Sequence, residues 1–292
     1  HMKKVTKAII PAGGLGTRVL PASKAIPKEM LQIVDKPAIQ YIVEEAVAAG
    51  ITDILVITNR GKSIIEDHFD KSFELECLLE SKGKTGPLEE IKKISELANM
   101  CYIRQREAKG LGHAIMCAKT FAAGDPVAVL YGDDVIIGED PAIGQLCRAY
   151  EKYGRGVVGV KEVSEEAIQK YSSLQVENID GNVYKVTDMI EKPSKDEIMS
   201  LFSILGRCVL PYDIFEILEN TAPGAGNEIQ LTDAMKTLAR RDTMVAVDFT
   251  GTRYDMGNKL GIMQANCEVA LKHPEIGKDF RKYVLELAQK IK

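Results

Sequence analysis

The sequence predicts an α/β fold in which helices cover a mixed, mostly parallel sheet. Short apolar segments alternate with amphipathic segments through the first half of the 292 residues. The apolar segments are typical of strands buried on both faces, and this alternation is the pattern of βαβ units. With 45% hydrophobic and 27% charged residues, the chain has the composition of a globular protein with a sizeable core.

The first half supplies the predicted parallel strands. We place them at Ala8–Ile10, Ile54–Thr58, Met100–Ile103 and Val127–Tyr131. The helices between them are predicted at Pro37–Ala49, Ser63–Phe69 and Leu111–Phe121, and the first of these stops at Gly50. Ligands of parallel sheets bind beyond the carboxyl ends of the strands, so we expect the loops after Ile10, Ile103 and Tyr131 to converge on one crevice.

Beyond a polar helical insertion at residues 71–99, the second half becomes β-rich. Its predicted strands are Val157–Val163, Leu174–Ile179 and Val183–Ile190, and Asp180-Gly181 predicts a hairpin between the last two. Helices are predicted at Tyr212–Asn220 and Ile229–Arg240, a strand at Met244–Phe249, and helical segments at Lys259–Leu271 and Ile276–Ile291. No Pro/Gly/Ser-rich linker separates the halves, which indicates one domain with a C-terminal helix.

A glycine-rich loop follows the first strand, and it is the most informative segment of the chain. It reads PAGGLGTR from Pro11 to Arg18, with Lys28 ten residues further on. Glycines let backbone N–H groups approach an anion closely, and Arg18 and Lys28 add positive charge that a turn does not need. We interpret the segment as a nucleoside triphosphate site; the structural alternative is a tight turn.

Two aspartates follow predicted strands and are candidate metal ligands. Asp133 lies just past Val127–Tyr131, and Asp255 lies between a predicted strand and a helix. Mg²⁺ usually takes one or two protein carboxylates and completes its shell with phosphate and water. The alternatives are a loop cap for Asp133 and a helix N-terminal cap for Asp255.

Other polar residues lie where a sugar and a base would bind. Glu191 can accept hydrogen bonds from two hydroxyl groups, and Lys192 offers charge to a phosphate. The amide of Gln105 and the backbone of Gly110 can read the edge of a pyrimidine. Read alone, these segments are also consistent with a solvated strand end and a helix-entry loop.

Composition and spacing disfavour several classes of protein. A net charge of −4 argues against a nucleic-acid-binding surface, and no apolar run of about 18 residues predicts a membrane span. Six cysteines without metal-type spacing are expected to be mostly small core residues in a reducing cytoplasm. An NAD-dependent oxidoreductase is disfavoured because the loop is not GxGxxG and the second strand ends in Asn59-Arg60 without an acidic ribose ligand.

Seven segments in order along nearly the whole chain carry a family resemblance: AGGLGTR, PKEML, QREAKGLGHA, GDD, EKP, GAGNEIQLTDA and DMGNKLG. They resemble the sugar-phosphate nucleotidyltransferases, and specifically the bacterial UTP–glucose-1-phosphate uridylyltransferases. The resemblance implies a Rossmann-like core with an inserted β-rich sugar-binding region, Mg²⁺ dependence, and a homodimer or homotetramer. It also implies a catalytic domain at 3–271, with the sugar-binding part at about 154–257, and a C-terminal helical segment at 272–292.

The resemblance implies roles for individual residues. Around the nucleotide it places Ala12, Gly13, Gly14, Gly16 and Thr17. Facing uracil it places Glu29, Gln105 and Gly110. Arg18 would contact the triphosphate, and Lys28 would neutralise the α-phosphate and the leaving pyrophosphate.

On the sugar side, the resemblance places Glu191 on the glucose hydroxyls and Lys192 on the sugar phosphate, with a backbone contact from Gly206. Asp133 and Asp255 match the metal-binding pair. The catalytic set implied is Arg18, Lys28, Asp133 and Lys192. One departure is Ser172-Ser173, since members of the family usually carry a glycine beside the sugar there.

The activity implied is transfer of uridylyl from UTP to α-D-glucose 1-phosphate, giving UDP-glucose and pyrophosphate. Two alternatives stay open. One is a thymidylyl- or cytidylyl-transferase acting on a hexose 1-phosphate. The other is a non-catalytic nucleotide-sugar-binding protein, which the retention of Asp133 and Asp255 disfavours. Nucleic acid and membranes are not expected partners, and the expected location is the cytoplasm.

Overall fold

A nine-stranded sheet forms the centre of the chain, which the computed structural model describes over residues 3–291. The strands of the chain are β1 Lys7–Pro11, β2 Gln32–Ile33, β3 Lys36–Pro37, β4 Asp53–Thr58, β5 Asn99–Arg104, β6 Val127–Leu130, β7 Asp134–Ile137, β8 Gly156–Glu162, β9 Ser172–Asp180, β10 Val183–Glu191, β11 Phe202–Leu210, β12 Met244–Asp248 and β13 Thr252–Asp255. The order across the sheet is β5-β4-β1-β6-β11-β8-β12-β10-β9. Only β10 and β11 run against the other seven strands of this sheet, so the predicted mixed, mostly parallel sheet is confirmed.

Helices pack on both faces of this sheet. They are α1 Ala38–Ala48, α2 Ser63–Phe69, α3 Phe73–Ser81, α4 Thr85–Ser95, α5 Leu111–Met116, α6 Lys119–Ala122, α7 Ala142–Tyr153, α8 Glu165–Ile168, α9 Ile214–Glu219, α10 Leu231–Arg240, α11 Lys259–Lys272 and α12 Gly277–Lys290. Side chains alternate along β1: Ala8 and Ile10 join the core beneath α1 and α7, whereas Ile9 joins the core beneath α5, α9 and α10. The α/β class with a C-terminal helix is therefore confirmed.

Besides the short elements β2, β3, β7, β13 and α8, one long strand and one long helix were absent from the sequence prediction. Strand β11 is central, but Gly206 and the fully buried Arg207 interrupt its apolar pattern. The Nε atom of Arg207 donates to Oε2 of Glu45 on α1 at 2.6 Å, so the buried charge is paired rather than solvated. Helix α7 carries ordinary boundary signals, Pro141 before it and Gly154 at a φ of +63° after it, which the prediction overlooked.

Three other expectations need correction or qualification. The helix predicted at Leu111–Phe121 is two helices, α5 and α6. Asp255 ends strand β13 instead of lying between elements. Among the cysteines only Cys147 and Cys208 are buried, while Cys77 and Cys101 are exposed. The domain boundary at residue 271 remains a prediction, and residue 292 lies outside the described chain.

The hairpin predicted at Asp180-Gly181 is present, because β9 and β10 pair antiparallel on either side of it. The predicted helical insertion forms α3 and α4. None of the helices within residues 3–291 combines the length and apolar character that crossing a membrane requires.

Candidate active site

Three adjoining cavities form one cleft beyond the carboxyl ends of β1, β5 and β6. We call them the loop cavity, of about 290 Å³, the carboxylate cavity, of about 660 Å³, and the Glu191 cavity, of about 90 Å³. Tyr131 lines all three, and Asp133 lines the first two. The loops that follow the predicted strands therefore meet at one crevice, as the sequence predicts.

The cleft brings together most of the predicted site residues. The loop cavity is lined by Gly13, Gly14, Lys28, Gln105, Gly110 and Asp133. The carboxylate cavity is lined by Arg18, Asp133, Lys192, Gly206 and Asp255, and the third cavity by Glu191. Four predicted residues line none of the three: Ala12, Gly16, Thr17 and Glu29.

The glycine loop bends sharply after β1. Gly16 has a φ of +66°, and a methyl group there would lie 3.1 Å from Cβ of Ser23. The Ser23 hydroxyl donates to the Gly16 carbonyl oxygen at 2.6 Å. Both the backbone conformation and the lack of space therefore require glycine at position 16, whose part is to turn the chain toward Arg18.

Two cations surround Asp133. The Lys28 ammonium donates to Oδ2 of Asp133 at 2.6 Å, and Nη2 of Arg18 lies 3.9 Å from the same oxygen. Burial by itself would raise the pKa of Asp133, but the charge of Lys28 and then of Arg18 outweighs it and lowers that pKa. Asp133 is therefore ionised at neutral pH.

Asp255 faces the same space as Asp133. A methyl group on Gly257 would lie 2.9 Å from Oδ1 of Asp255 and 3.1 Å from Oδ2 of Asp133, and it would collide with Arg18 at 2.5 Å. The two carboxylate oxygens thus face the same small space, which a single methyl group on Gly257 would fill. Within residues 3–291 no group of three or more His, Cys, Asp or Glu side chains could hold a metal. A pair of carboxylates fits Mg²⁺, which takes its remaining ligands from phosphate and water.

Gly206 lies opposite these carboxylates on β11. Its φ is +76°, and a methyl group there would lie 2.6 Å from both Cβ and Oδ2 of Asp134. Its carbonyl oxygen accepts from the backbone N–H of Tyr131 at 2.9 Å. Glycine is therefore required where β11 passes the cleft.

Glu191 ends β10 and Lys192 follows it, and the two residues line different cavities. Oε2 of Glu191 accepts a hydrogen bond from the Thr232 hydroxyl at 2.8 Å, and burial raises the pKa of Glu191. Lys192 has a φ of +48°, and its N–H donates to the Tyr171 carbonyl oxygen at 2.6 Å. This local turn directs the two side chains into neighbouring cavities of one cleft.

Ser172, the departure noted in the sequence, borders the Glu191 cavity. Its hydroxyl oxygen accepts from the Ile204 N–H at 3.2 Å and lies 3.4 Å from the Ser203 hydroxyl. The next residue, Ser173, instead bonds the backbone of Met199 and Ser200. Only the first of the two serines therefore belongs to the cleft.

The side chain of Gln105 is fixed at the wall of the loop cavity. Its Nε2 lies 2.8 Å from Nδ1 of His113 and donates to the Gly110 carbonyl oxygen at 3.2 Å. A methyl group on Gly13 would lie 3.2 Å from Oε1 of Gln105. The amide oxygen therefore lies over the glycine loop, where it can accept a hydrogen bond from a ligand.

Glu29 lies beneath the loop and is 1% exposed. Its Oε2 accepts from the Lys62 ammonium at 3.0 Å. Burial raises the pKa of Glu29 and lowers the pKa of Lys62, and the contact between the two charges opposes both effects. The expectation that Glu29 faces uracil remains a prediction.

Comparison with known proteins places the chain in a family. It matches the family described as Nucleotidyl transferase over residues 7–272. It is 51% identical over 288 residues to the UTP–glucose-1-phosphate uridylyltransferase YngB of Bacillus subtilis (strain 168), which covers 99% of this chain and 97% of that protein. The chain belongs to the nucleotidyl transferase family, in the branch of the UTP–glucose-1-phosphate uridylyltransferases.

Solved structures agree with this membership. A UTP-bound UGPase from Acinetobacter baumannii has a TM-score of 0.89 and 39% identity, over 97% of this chain and 99% of that chain. A UDP-glucose pyrophosphorylase complexed with UDP-glucose has a TM-score of 0.83 and 41% identity, over 92% of this chain and 100% of that chain. The family and the fold predicted from the sequence are confirmed.

Gly257, Arg253 and Asp134 belong to the cleft of this family member but were not singled out from its sequence. Gly257 is required by the approach of Asp133, Asp255 and Arg18, and its signal is the glycine of DMGNKLG. Arg253 binds Oδ1 of Asp134 through Nε at 2.6 Å and Nη2 at 2.5 Å. Its guanidinium also lies 5.3 Å from the centre of the Tyr171 ring. Burial raises the pKa of Asp134 to about 6 despite Arg253, and no sequence spacing predicts this cluster.

Proposed function

We propose that the chain catalyses the reversible reaction of UTP with α-D-glucose 1-phosphate, giving UDP-glucose and pyrophosphate. The observation that carries the proposal is the single cleft in which the glycine loop and Lys28 adjoin two carboxylates and the Glu191–Lys192 pair. The name of the B. subtilis relative supplies the identity of the nucleotide and of the sugar phosphate.

The reaction needs no nucleophile from the protein. A phosphate oxygen of the sugar phosphate attacks the α-phosphorus of UTP in line; that P–O bond forms as the bond to the bridging oxygen of pyrophosphate breaks. The attacking oxygen is already anionic at pH 7, so no proton has to be removed. The work of the protein is to bring two anions together and to offset charge in the transition state. Arg18, Lys28 and Lys192 line the cleft with the charge required.

Mg²⁺ is the cofactor that we propose, held by Asp133 and Asp255. The geometry around Gly257 supports this pairing, because both carboxylates face one small space. When bound, the ion would neutralise phosphate charge. Lys28 and Arg18 already hold Asp133 ionised, so the ligand needs no deprotonation before it binds a metal.

Selection of the base is assigned to Gln105. With Nε2 engaged by His113 and Gly110, Oε1 is the atom left to face a base. Uracil presents an N3–H donor, whereas the unprotonated N3 of cytosine is an acceptor and repels an amide oxygen. Thymine shares the donor, so this contact favours UTP over CTP but not over dTTP.

The sugar is assigned to the Glu191 cavity and to the adjoining wall. Glu191 is oriented by Thr232 and can accept from hexose hydroxyl groups, while Lys192 reaches the carboxylate cavity where the sugar phosphate would react. Gly206 would offer its backbone beside the sugar.

We further propose that the chain forms a homodimer or a homotetramer in the cytoplasm. Exposed apolar side chains on α11 and α12 support association, among them Leu260, Met263 and Leu285. Light scattering at several protein concentrations tests it, and a monomer at all concentrations would contradict it.

The proposal is tested by measuring pyrophosphate release with UTP, dTTP, CTP and ATP, each against several hexose 1-phosphates. We expect the highest kcat/KM with UTP and glucose 1-phosphate, and loss of activity when EDTA removes the metal. A clear preference for dTTP or CTP would replace the uridylyl assignment. The absence of pyrophosphate release with every pair would indicate a binding protein instead of an enzyme.

A further inference from the structure

The carbonyl groups of the glycine loop are held by two side chains that line none of the three cavities. The Lys62 ammonium donates to the carbonyl oxygen of Ala12, to that of Gly14 at 2.7 Å and to Oε2 of Glu29 at 3.0 Å. The Asn59 amide donates to the carbonyl oxygen of Gly13 between them. Three successive loop carbonyls are therefore bound by two side chains of the β4–α2 connection.

The three hydrogen-bond donors of the Lys62 ammonium match the three acceptors around it. An ammonium has three N–H donors and no acceptor, and each donor has one of these three acceptors. Lys62 is only 6% exposed, so its charge is compensated by Glu29 instead of water. A buried lysine with every donor assigned keeps one geometry, which a flexible surface lysine does not.

The planar trans peptide converts this anchoring into an orientation of the N–H groups. In each peptide unit the N–H of the following residue points opposite to the carbonyl. With the carbonyls of Ala12, Gly13 and Gly14 bound by Lys62 and Asn59, the N–H groups of Gly13, Gly14 and Leu15 point away from those two side chains, and Gly13 and Gly14 line the loop cavity. Within residues 3–291 no protein atom accepts a hydrogen bond from these three N–H groups.

We propose that Lys62 and Asn59 are positioning residues that aim the N–H groups of the glycine loop at the nucleotide's phosphates. Successive N–H groups facing one side form an anion-binding concavity, and fixing it beforehand lowers the ordering that binding requires. The inference rests on the proposed function, since it takes the ligand of the loop to be a nucleoside triphosphate. Neither side chain touches the substrate; both act through the backbone of residues 12–14.

The test compares Lys62→Met and Asn59→Ala with Arg60→Met. Arg60 is exposed, lies in the same connection and has no hydrogen bond or ion pair in the described chain, so its variant controls for loss of a nearby charge. Calorimetric titrations give the Kd of UTP and of uridine for each variant, and steady-state kinetics gives KM for each substrate. Melting temperatures report folding.

We expect Lys62→Met to raise the Kd and KM of UTP about tenfold, because the loop carbonyls that Lys62 no longer fixes must be ordered when UTP binds. Asn59→Ala should raise them several-fold. The Kd of uridine, the KM of glucose 1-phosphate and every constant of Arg60→Met should stay within about twofold, because none depends on the loop's N–H groups.

The inference would be overturned if the folded variants kept the wild-type ratio of UTP affinity to uridine affinity, whether neither affinity changed or both fell equally. If Lys62→Met fails to fold because Glu29 is left unpaired, Asn59→Ala decides, since it leaves that ion pair intact. Wild-type turnover of UTP with glucose 1-phosphate tests the proposed function separately, so the two failures are distinguishable.

Discussion

The Nζ atom of Lys28 lies 2.6 Å from Oδ2 of Asp133. Lys28 comes from the segment after the glycine loop and Asp133 from the loop after β6, so this contact joins the two halves of the cleft. Burial would lower the pKa of Lys28, but the charge of Asp133 and its hydrogen bond to Lys28 together outweigh burial and raise that pKa. Both groups are therefore charged at neutral pH, one suited to phosphate and the other to a metal.

Replacing Asp133 by Asn should remove the metal-binding charge while keeping the shape of the side chain. We expect kcat to fall about 10²–10³-fold, by analogy with the loss of one preorganised electrostatic contact. Asp67→Asn, at an exposed position of α2, is the control and should leave kcat unchanged. Near-normal turnover of Asp133→Asn at saturating Mg²⁺ would rule out Asp133 as a metal ligand.

Gly206→Ala should impair catalysis because the added methyl group meets the side chain of Asp134 at 2.6 Å. Gly181→Ala is a matched control: its φ is also positive, +55°, but nothing lies within 4 Å of the added group. We expect kcat/KM for glucose 1-phosphate to fall at least about tenfold only in Gly206→Ala. Equal kinetics in the two variants would contradict the requirement for glycine at position 206.

Gln105→Leu should reduce discrimination between UTP and CTP. The substitution removes the acceptor over the glycine loop, so the ratio of their kcat/KM values should fall about tenfold. Gln175→Leu, on the exposed side of β9, should leave the ratio unchanged. A Gln105→Leu enzyme that retains the full ratio would remove Gln105 from base selection.

Ser172→Gly should widen tolerance for the sugar, because the Ser172 hydroxyl borders the Glu191 cavity. We expect kcat/KM with N-acetylglucosamine 1-phosphate to rise relative to that with glucose 1-phosphate. Ser173→Gly loses bonds to the Met199–Ser200 backbone and should lower the melting temperature without changing that ratio. A ratio unchanged in Ser172→Gly would show that this serine does not limit the sugar.

Arg207→Met should destabilise the fold, since it leaves Glu45 buried without its partner. Removing one member of a buried pair costs about 3–5 kcal/mol in free energy of unfolding. The Asp140–Arg148 pair is largely exposed, so Arg148→Met should cost about 1 kcal/mol or less. Urea denaturation of both variants measures the difference, and equal costs would contradict the role given to burial.

The parts of the fold that follow regular periodicity could be predicted from the sequence. β1, β4 and β5 were located to within one residue at each end, and the loops after β1, β5 and β6 were correctly predicted to converge. β11 was missed because Arg207 lies in its middle, and only the distant Glu45 makes a charged residue compatible with a buried strand. Whether such a segment forms a buried strand depends on contacts with distant parts of the chain, and the periodicity of the segment itself does not reveal them.

The site residues likewise include some that the sequence identifies and some that only the fold reveals. The glycine loop, Asp133 and Glu191-Lys192 stand in local motifs, so their place in the cleft could be predicted from the sequence, while their roles remain predictions. Lys62 and Arg253 act through contacts with residues far away in the chain, Glu29 and Asp134 respectively. No local pattern distinguishes them from surface cations, and only the folded chain shows that both are largely buried.

The central claim is direct transfer of uridylyl between two anions in one cleft, without a covalent enzyme intermediate. The most direct test is exchange of labelled pyrophosphate into UTP, measured with and without glucose 1-phosphate. Direct transfer predicts exchange, and formation of UDP-glucose, only when the sugar phosphate is present. Exchange in its absence would demonstrate a uridylylated enzyme and contradict the account.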